Sequence, residues 1–398
     1  MKKYKFMNLP SDRGALRNSP DRFRLVWFSE IQWDFLSTRK QRLLCRFPDN
    51  WKILFIEPFA LGRRHHWLPV KRGRVWVVSV PFLKSVPFRI GRLLDIPLLR
   101  ALLSLPGIVL MFFWVAVLGF ATSHNRLIGL SNIYWGRVAA LLPCRLRFYD
   151  ANDDHLAFPD NPQWLKDYLD RYLSKVDLIF SVSRELTCSL KVPPRVRTVE
   201  LGNGVEFSHF AAPCHEKPVA LSRLKGPILG YAGAMDWLDI SLVAATAHAW
   251  PDCEIVLLGP AYEREWWKKQ DALNALPNVS YFGKIEYSEL PAWVQHFDLA
   301  LMPLLTSKLK KVSHPNKLYE YTAAGVPVLS MNYCSAVERA RGVVHVAASQ
   351  EEFIRMVPVA LADLRRDERQ AFARQYSWDE LAATMVQELQ KASREMNH

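Results

Sequence analysis

Cysteine is scarce in this chain: six residues in 398, at positions 45, 144, 188, 214, 253 and 334. None forms a C-x-x-C pair and none stands at a cysteine–histidine spacing suited to zinc, which removes a structural zinc site and makes a reducing cytoplasm the expected compartment. An apolar core is missing from the first 24 residues, which are polar and basic, so no secretory signal is expected there. Sequence repeats are absent. Acidic residues are in short supply over the first half only: residues 1–200 hold 32 Lys and Arg against 16 Asp and Glu, a net of +16, whereas the whole chain stands at +13. The basic excess therefore belongs to the first half, and it implies a polyanionic partner, either nucleic acid or an anionic membrane face.

The apolar content beside that charge decides between them. Residues 101–122 are a run of 22 without a charged side chain, long enough to cross a bilayer, which takes ~20 apolar residues. A span would put the neighbouring strands on opposite sides of a membrane and break up the first domain. The expected form is a helix lying in the interface, shortened by Pro106 and Gly107 and flanked by Arg89, Arg92 and Arg100 as contacts to lipid phosphate; an ordinary core helix is the alternative. Residues 82–99, with Leu83, Lys84, Phe88 and Leu93, extend the basic and apolar character. The partner implied is an anionic membrane surface and no nucleic acid, with the protein peripheral on the inner, cytoplasmic face of the cell membrane.

At 50 % hydrophobic content the chain can bury two cores. Short β-branched and aromatic runs at 25–29, 53–58, 75–80, 127–130, 146–150, 178–182 and 198–201 alternate with helical patterns. After a polar break at 211–217 the alternation restarts at 228–232, 254–258, 279–282, 299–302, 326–330 and 343–346. Two parallel, doubly wound α/β sheets follow, with sites at the carboxyl ends of their strands. A last helix is expected from Asp379 to about Met396, with Leu381, Ala382, Met385, Val386 and Leu389 on its apolar face.

Residues 313–330 (SHPNKLYEYTAAGVPVLS) read as a short helix followed by a buried strand. Pro315 suits the first helical position, and Ser313 or His314 can cap. About three unpaired backbone N–H groups and the positive end of the helix dipole then face whatever lies before residues 314–317, and Lys317 adds a full charge, a setting for phosphate. Glu320, one turn on, is placed to accept from a ribose diol, and Gly325 ends the helix. The competing reading is an exposed Lys–Glu pair on an ordinary helix, which contributes only ~0.2–0.5 kcal/mol.

The pattern Pro315-x-Lys317-x-x-Glu320-x-x-Ala323-x-Gly325-x-Pro327-Val328 resembles the nucleotide-sugar segment of bacterial B-type glycosyltransferases, in the group of the retaining family-four enzymes. In the same order, the segments around Gly202-Asn203-Gly204, Tyr231-Ala-Gly233-Ala234, Asn278 to Lys284, and Tyr376-Ser-Trp378-Asp379 resemble that family's interdomain linker, phosphate loop, base-holding strand end and last helix, over residues 196–395. Phe28-Ser29 with Trp33-Asp34-Phe35, Ile56-Glu57-Pro58, and residues 148–154 extend a looser match into the first half. The resemblance implies two Rossmann-like domains facing across a cleft: an acceptor and membrane-binding domain over 1–210, a nucleotide-sugar domain over 211–376, and a helix over 377–398 returning to the first domain.

On that basis Gly233, Ala234, Gly283, Lys284, Pro315, Asn316, Lys317, Leu318 and Glu320 are candidate donor-binding residues. Trp33, Asp34 and Arg39 would form the acceptor-side loop, without the glycine-rich character usual there. Gly230, like Gly233, would permit close approach to a diphosphate; a plain tight turn is the alternative. Asp236 and Asp239 are read as helix caps, and Lys308, Lys310 and Lys311 as a mobile flap or solvated face. Asp150, Asp153 and Asp154 would repel one another when ionised, which makes one a candidate base or sugar-hydroxyl acceptor and puts the cluster, with Lys317, forward as catalytic. A loop with two helix caps is the competing reading, and His155 beside it is read as a structural partner. No metal is expected, because Lys317 and the helix N-terminus supply the positive charge. Family-four enzymes often carry a glutamate eight residues before the ribose glutamate; here that position is Val312.

The expected activity is transfer of a hexosyl group, with retention, from a nucleoside diphosphate sugar, UDP- or GDP-linked, to a lipid-linked or surface-polysaccharide acceptor. No cofactor beyond the nucleotide sugar is implied. The alternatives are a nucleotide-sugar epimerase of the same fold and a catalytically idle, membrane-docked scaffold.

Overall fold

A computed structural model describes residues 21–35, 37–59, 65–81, 92–157, 162–262, 264–306 and 311–396. It divides into one unit made of Met1–Gly202 with Trp378–His398, and a second made of Asn203–Ser377.

In the first unit the β-branched and aromatic runs form β1 (Arg24–Phe28), β2 (Lys52–Pro58), β3 (Val70–Arg72), β4 (Val75–Val80), β5 (Arg126–Leu130), β6 (Leu146–Ala151), β7 (Leu178–Ser181) and β8 (Arg197–Glu200). Their order across the sheet is β3-β4-β2-β1-β5-β6-β7-β8. All pairs are parallel except β3 with β4, an antiparallel edge hairpin that the three-residue length of β3 hid from pattern reading. Chain order reverses between β1 and β5, so this sheet's switch point lies at their carboxyl ends. The apolar stripe of the C-terminal helix, Trp378–Glu395, joins the same core as Leu25, Trp27, Ile53 and Phe148. An ion pair from Arg46 to Asp379 at 3.0 Å pins its first turn, and Arg145 donates to the Ser393 carbonyl near its end.

The helices used below are α1 (Arg39–Leu44), α2 (Pro97–Val117) and α3 (Trp164–Leu173). Pro106 does not shorten α2, which runs unbroken for 21 residues. The reason is tertiary: at Gly107 the helix lies so close to Pro81 that an added Cβ would stand 1.9 Å from its carbonyl oxygen, and this packing outweighs the backbone bond that proline forfeits. Its inner face is Arg100, Ser104, Gly107, Met111 and Val115. Leu98, Leu102, Leu105, Val109, Phe113 and Val117 are exposed. Arg100 is buried rather than available to lipid; its guanidinium lies 4.8 Å over the Trp164 ring and donates to Leu94 O and to the Tyr168 hydroxyl of α3. Arg89 and most of the 82–99 segment lie outside the described residues.

The second unit holds β9 (Ile228–Ala232), β10 (Glu254–Leu258), β11 (Val279–Tyr281), β12 (Leu299–Met302), β13 (Val328–Met331) and β14 (His345–Ala347), an all-parallel sheet in the order β11-β10-β9-β12-β13-β14. Its switch point lies between β9 and β12. Its helices include α4 (Ile240–Ala249), α5 (Asn316–Ala323) and α6 (Arg366–Arg374). Residues 203–210 belong to this unit, because Val205 bridges to Ser377 and Phe210 is buried in its core.

Candidate active site

The loops after β9 and β12 leave the switch point side by side. Leu238 bridges to Leu304, Asp239 N–H donates to Pro303 O at 2.8 Å, and Leu305 N–H donates to Trp237 O at 3.0 Å. The second loop leads to α5. Its N-cap is Pro315, with extended backbone and no side-chain cap, so proline sits one position earlier than the sequence pattern indicates. Asn316, Lys317 and Leu318 form the first turn, whose backbone donors have no intrahelical partners. Lys317 Nζ meets Glu320 Oε2 at 2.7 Å; the lysine side chain is 28 % exposed and the glutamate 7 %. A cation with an accessible flank is thus backed by a nearly buried carboxylate, at the positive end of a helix.

Side chains to which the pattern reading gave another role, or none, brace this turn. His314 is buried; its Nδ1 accepts from Asn203 N–H at 3.0 Å, and its carbonyl accepts from the Asn203 amide at 2.8 Å. Because a backbone N–H can only donate, the neutral ring carries its proton on Nε2, which faces the Tyr319 hydroxyl at 3.0 Å. From α5, the Tyr321 hydroxyl accepts from Ala232 N–H at 2.8 Å, tying the helix to the end of β9. Burial pushes the Tyr321 hydroxyl well above the ordinary tyrosine value, so it stays a neutral brace. At the far end Gly325 has φ +76°, and its carbonyl accepts from Arg369 of α6. Arg369 is in turn held by Asp363 at 2.8 Å. Burial raises the Asp363 carboxyl, but hydrogen bonds from Arg365, Arg369 and His345 outweigh it and hold the group far below the usual carboxylate range.

The glycines at the end of β9 have packing roles. A Cβ at Gly230 would strike the Phe297 ring at 2.2 Å, so that glycine serves packing. Gly233 makes room for the Tyr231 hydroxyl, which donates to Ala234 O at 2.9 Å. Asp239 caps α4 by accepting from Leu242 N–H, whereas Asp236 accepts from Tyr262 N–H. Gly283, at φ +69°, accepts from Gly259 N–H at 2.7 Å, and Lys284 follows it at the end of β11. Lys308 and Lys310 lie outside the described residues; Lys311 is exposed.

In the first unit the aspartates do not form one cluster. Asp150 is fully buried and ion-paired with Arg39, whose Nε and Nη2 each lie 3.0 Å from Oδ1 and whose Nη1 donates to Gly202 O. Asp150 and Arg39 are thereby brought together as an internal pair, with neither free to act as base or to reach an acceptor. Asp153 accepts from Asp154 N–H, Asp154 accepts from Leu156 N–H, and His155 contacts Asn152, the pattern of a self-bonded turn. Trp33 is 1 % exposed with its ring edge-on to Phe55, a core residue and not a loop contact. Asp34 is at the surface between Arg72 at 2.7 Å and His66 at 3.1 Å; burial raises its carboxyl, but these two partners outweigh it and hold it below the ordinary value. Nearby Glu57 is buried and accepts from Ser79 Oγ–H and Trp33 N–H, and burial pushes its carboxyl up despite them.

Comparison with solved structures decides the architecture. Sucrose-phosphate synthase from Thermosynechococcus elongatus superposes with a TM-score of 0.69 at 13 % identity, over 93 % of this chain and 99 % of that one. This is the B-type glycosyltransferase fold. The Anabaena HepE protein in complex with UDP and glucose shares the fold, with a TM-score of 0.64 at 15 % identity over 93 % of this chain and 100 % of that one. So does an E. coli trehalose-6-phosphate protein bound with UDP-2-fluoro glucose, with a TM-score of 0.66 at 11 % identity over 92 % and 98 %. Within the fold, residues 226–363 match the family described as glycosyl transferases group 1, which takes in β9 to β14 and α5. A putative teichuronic acid biosynthesis glycosyltransferase, TuaH of Bacillus subtilis (strain 168), is 31 % identical over 154 residues, 38 % of this chain. The match spans 37 % of that curated relative's length.

Proposed function

We propose that the protein is a glycosyltransferase that takes a hexosyl group from a UDP- or GDP-linked sugar and binds the donor at the first turn of α5. The observation that carries this reading is the Lys317–Glu320 pair in the first turn of a helix whose N-cap is a proline, beside the sheet's switch point. A diphosphate there meets the N–H groups of residues 316–318 and draws Lys317 from Glu320, which frees the carboxylate for the ribose hydroxyls. As the sugar–oxygen bond breaks, negative charge grows on the departing diphosphate and positive charge on the sugar. Lys317 and the helix dipole stabilise the first, without a metal. An acceptor hydroxyl attacks from the same face and gives its proton to the departing diphosphate oxygen, giving retention.

The acceptor in this reading is a lipid-linked or surface polysaccharide, in keeping with the teichuronic acid role in the relative's name. The exposed apolar face of α2 and the +16 first half support docking on an anionic membrane surface at the inner face of the cell membrane, with α2 lying in the interface and Met111 and Val115 held against the protein.

The test is release of nucleoside diphosphate by purified protein from a panel of nucleotide sugars, with anionic vesicles and with excess chelator. Release that survives chelation supports the reading. No release from any donor favours an idle scaffold, and loss on chelation that magnesium restores would reassign the charge balance to a metal.

A further inference from the structure

The most developed surface outside the proposed donor site lies at the carboxyl edge of the first unit's sheet, where the residues following β1, β2 and those leading into β3 meet. The Phe59 ring lies 4.3 Å from that of His65 and stacks with Trp67 at 5.7 Å and 28°, and His65 lies 5.5 Å from Trp67. Burial and the neighbouring His66 push the His65 ring below its ordinary value, so it stacks as an uncharged ring. Trp67 is 44 % exposed. Beside this stack His66 bonds to Asp34, and Asp34 pairs with Arg72, both side chains of that pair being more than a third exposed.

The surface is built to hold its shape. His66 N–H donates to Ser79 Oγ at 2.7 Å, Ser79 N–H donates back to His66 O at 2.8 Å, and Ser79 Oγ–H donates to the buried Glu57. The other Glu57 oxygen accepts from Trp33 N–H at 2.6 Å. One buried carboxylate thus fixes the turn that carries Asp34 and the backbone that carries His66 and Trp67.

An exposed flat ring, one residue on from the histidine that bonds an anchored carboxylate–guanidinium pair, matches the two-sided chemistry of a pyranose, whose C–H face is apolar while its rim of hydroxyls both donates and accepts. A lipid chain would satisfy the ring but desolvate Asp34 and Arg72. We propose that Trp67, Asp34 and Arg72 form a carbohydrate-binding platform that holds a sugar residue of the acceptor glycan. The assignment deepens the glycosyl-transfer reading and rests on it for naming the bound sugar an acceptor.

The full-length protein would be applied to an array of neutral hexose and N-acetylhexosamine oligosaccharides, and the best binder titrated against wild type, Trp67→Ala, Trp67→Phe and Asp34→Asn, with UDP and GDP titrated in parallel. Trp67 is surface-exposed, so its variants are expected to fold. The expected result is at least a tenfold loss of oligosaccharide affinity in Trp67→Ala, partial rescue in Trp67→Phe, a smaller loss in Asp34→Asn, and unchanged nucleotide affinity in all three. Wild type that binds no array sugar, or a Trp67→Ala that binds as wild type does, overturns the platform and leaves donor binding untouched. A Trp67→Ala that loses nucleotide instead overturns it too, by making the ring a base-stacking surface. Glycan binding without nucleotide binding by wild type would keep the platform and sink the glycosyl-transfer reading.

Discussion

Two of the basic–acidic pairs at the sites the sequence singles out, one in each unit, differ in their surroundings. In the first unit Arg39 and Asp150 are 4 % and 0 % exposed, and the guanidinium is further engaged by Gly202 O. In the second, Lys317 keeps 28 % of its side chain accessible over a Glu320 that is 7 % exposed. An ion that is enclosed on all sides cannot exchange its partner for a ligand, because separating the charges in a dry interior costs far more than any incoming contact returns. An ion with one open flank can. Access, rather than residue type or spacing, separates a structural pair from a candidate binding pair.

The sharpest way to break the comparison is to remove the buried cation. Arg39→Ala should destabilise the first unit by about 3–5 kcal/mol, since it leaves Asp150 buried without its partner; urea unfolding measures it. Lys317→Ala should leave stability within ~1 kcal/mol, as for other partly exposed pairs, yet remove at least ~2 kcal/mol of transition-state stabilisation. Steady-state kinetics separates the two, with the loss falling on kcat. If Lys317→Ala unfolds the protein, or Arg39→Ala leaves stability unchanged, the distinction fails.

Acid should separate the units more gently. Asp363 is held far below the usual carboxylate range, so its contribution is present above the unfolded aspartate value of about 3.9 and is lost as pH falls below it. Glu57 in the first unit is pushed the other way: its contribution is present below the unfolded glutamate value and is lost as pH rises through its raised one. Thermal unfolding of Asp363→Asn should therefore show a smaller loss of stability between pH 5 and pH 3 than wild type does. An identical acid slope would show that the Asp363–Arg369 link does not support the end of α5.

Strand and helix periodicity made most of the two sheets legible, because strands buried on both faces are written as continuous apolar runs such as Ile53 to Ile56. Helix α5 was legible from Pro315, Lys317, Glu320 and Gly325, although the proline stands at the cap. What pattern could not give was pairing across long separations. Arg39 and Asp150 are 111 residues apart, and the clustering of Asp150 with Asp153 and Asp154 in sequence hid that the first points inward from β6 while the others close a turn. The His314–Asn203 link has the same separation. Pro106 misled for a related reason, since a local helix breaker was overridden by the close contact of Gly107 with Pro81.

The most direct test of the central claim is a structure of the protein with UDP or GDP bound, read together with titration of the same nucleotide into Glu320→Gln. The account predicts the diphosphate against residues 316–318, Lys317 Nζ moved from Glu320 to a phosphate oxygen, the ribose hydroxyls on Glu320, and weaker binding by Glu320→Gln. A nucleotide bound elsewhere, with the Lys317–Glu320 pair intact at 2.7 Å and affinity unaffected by the substitution, would contradict it.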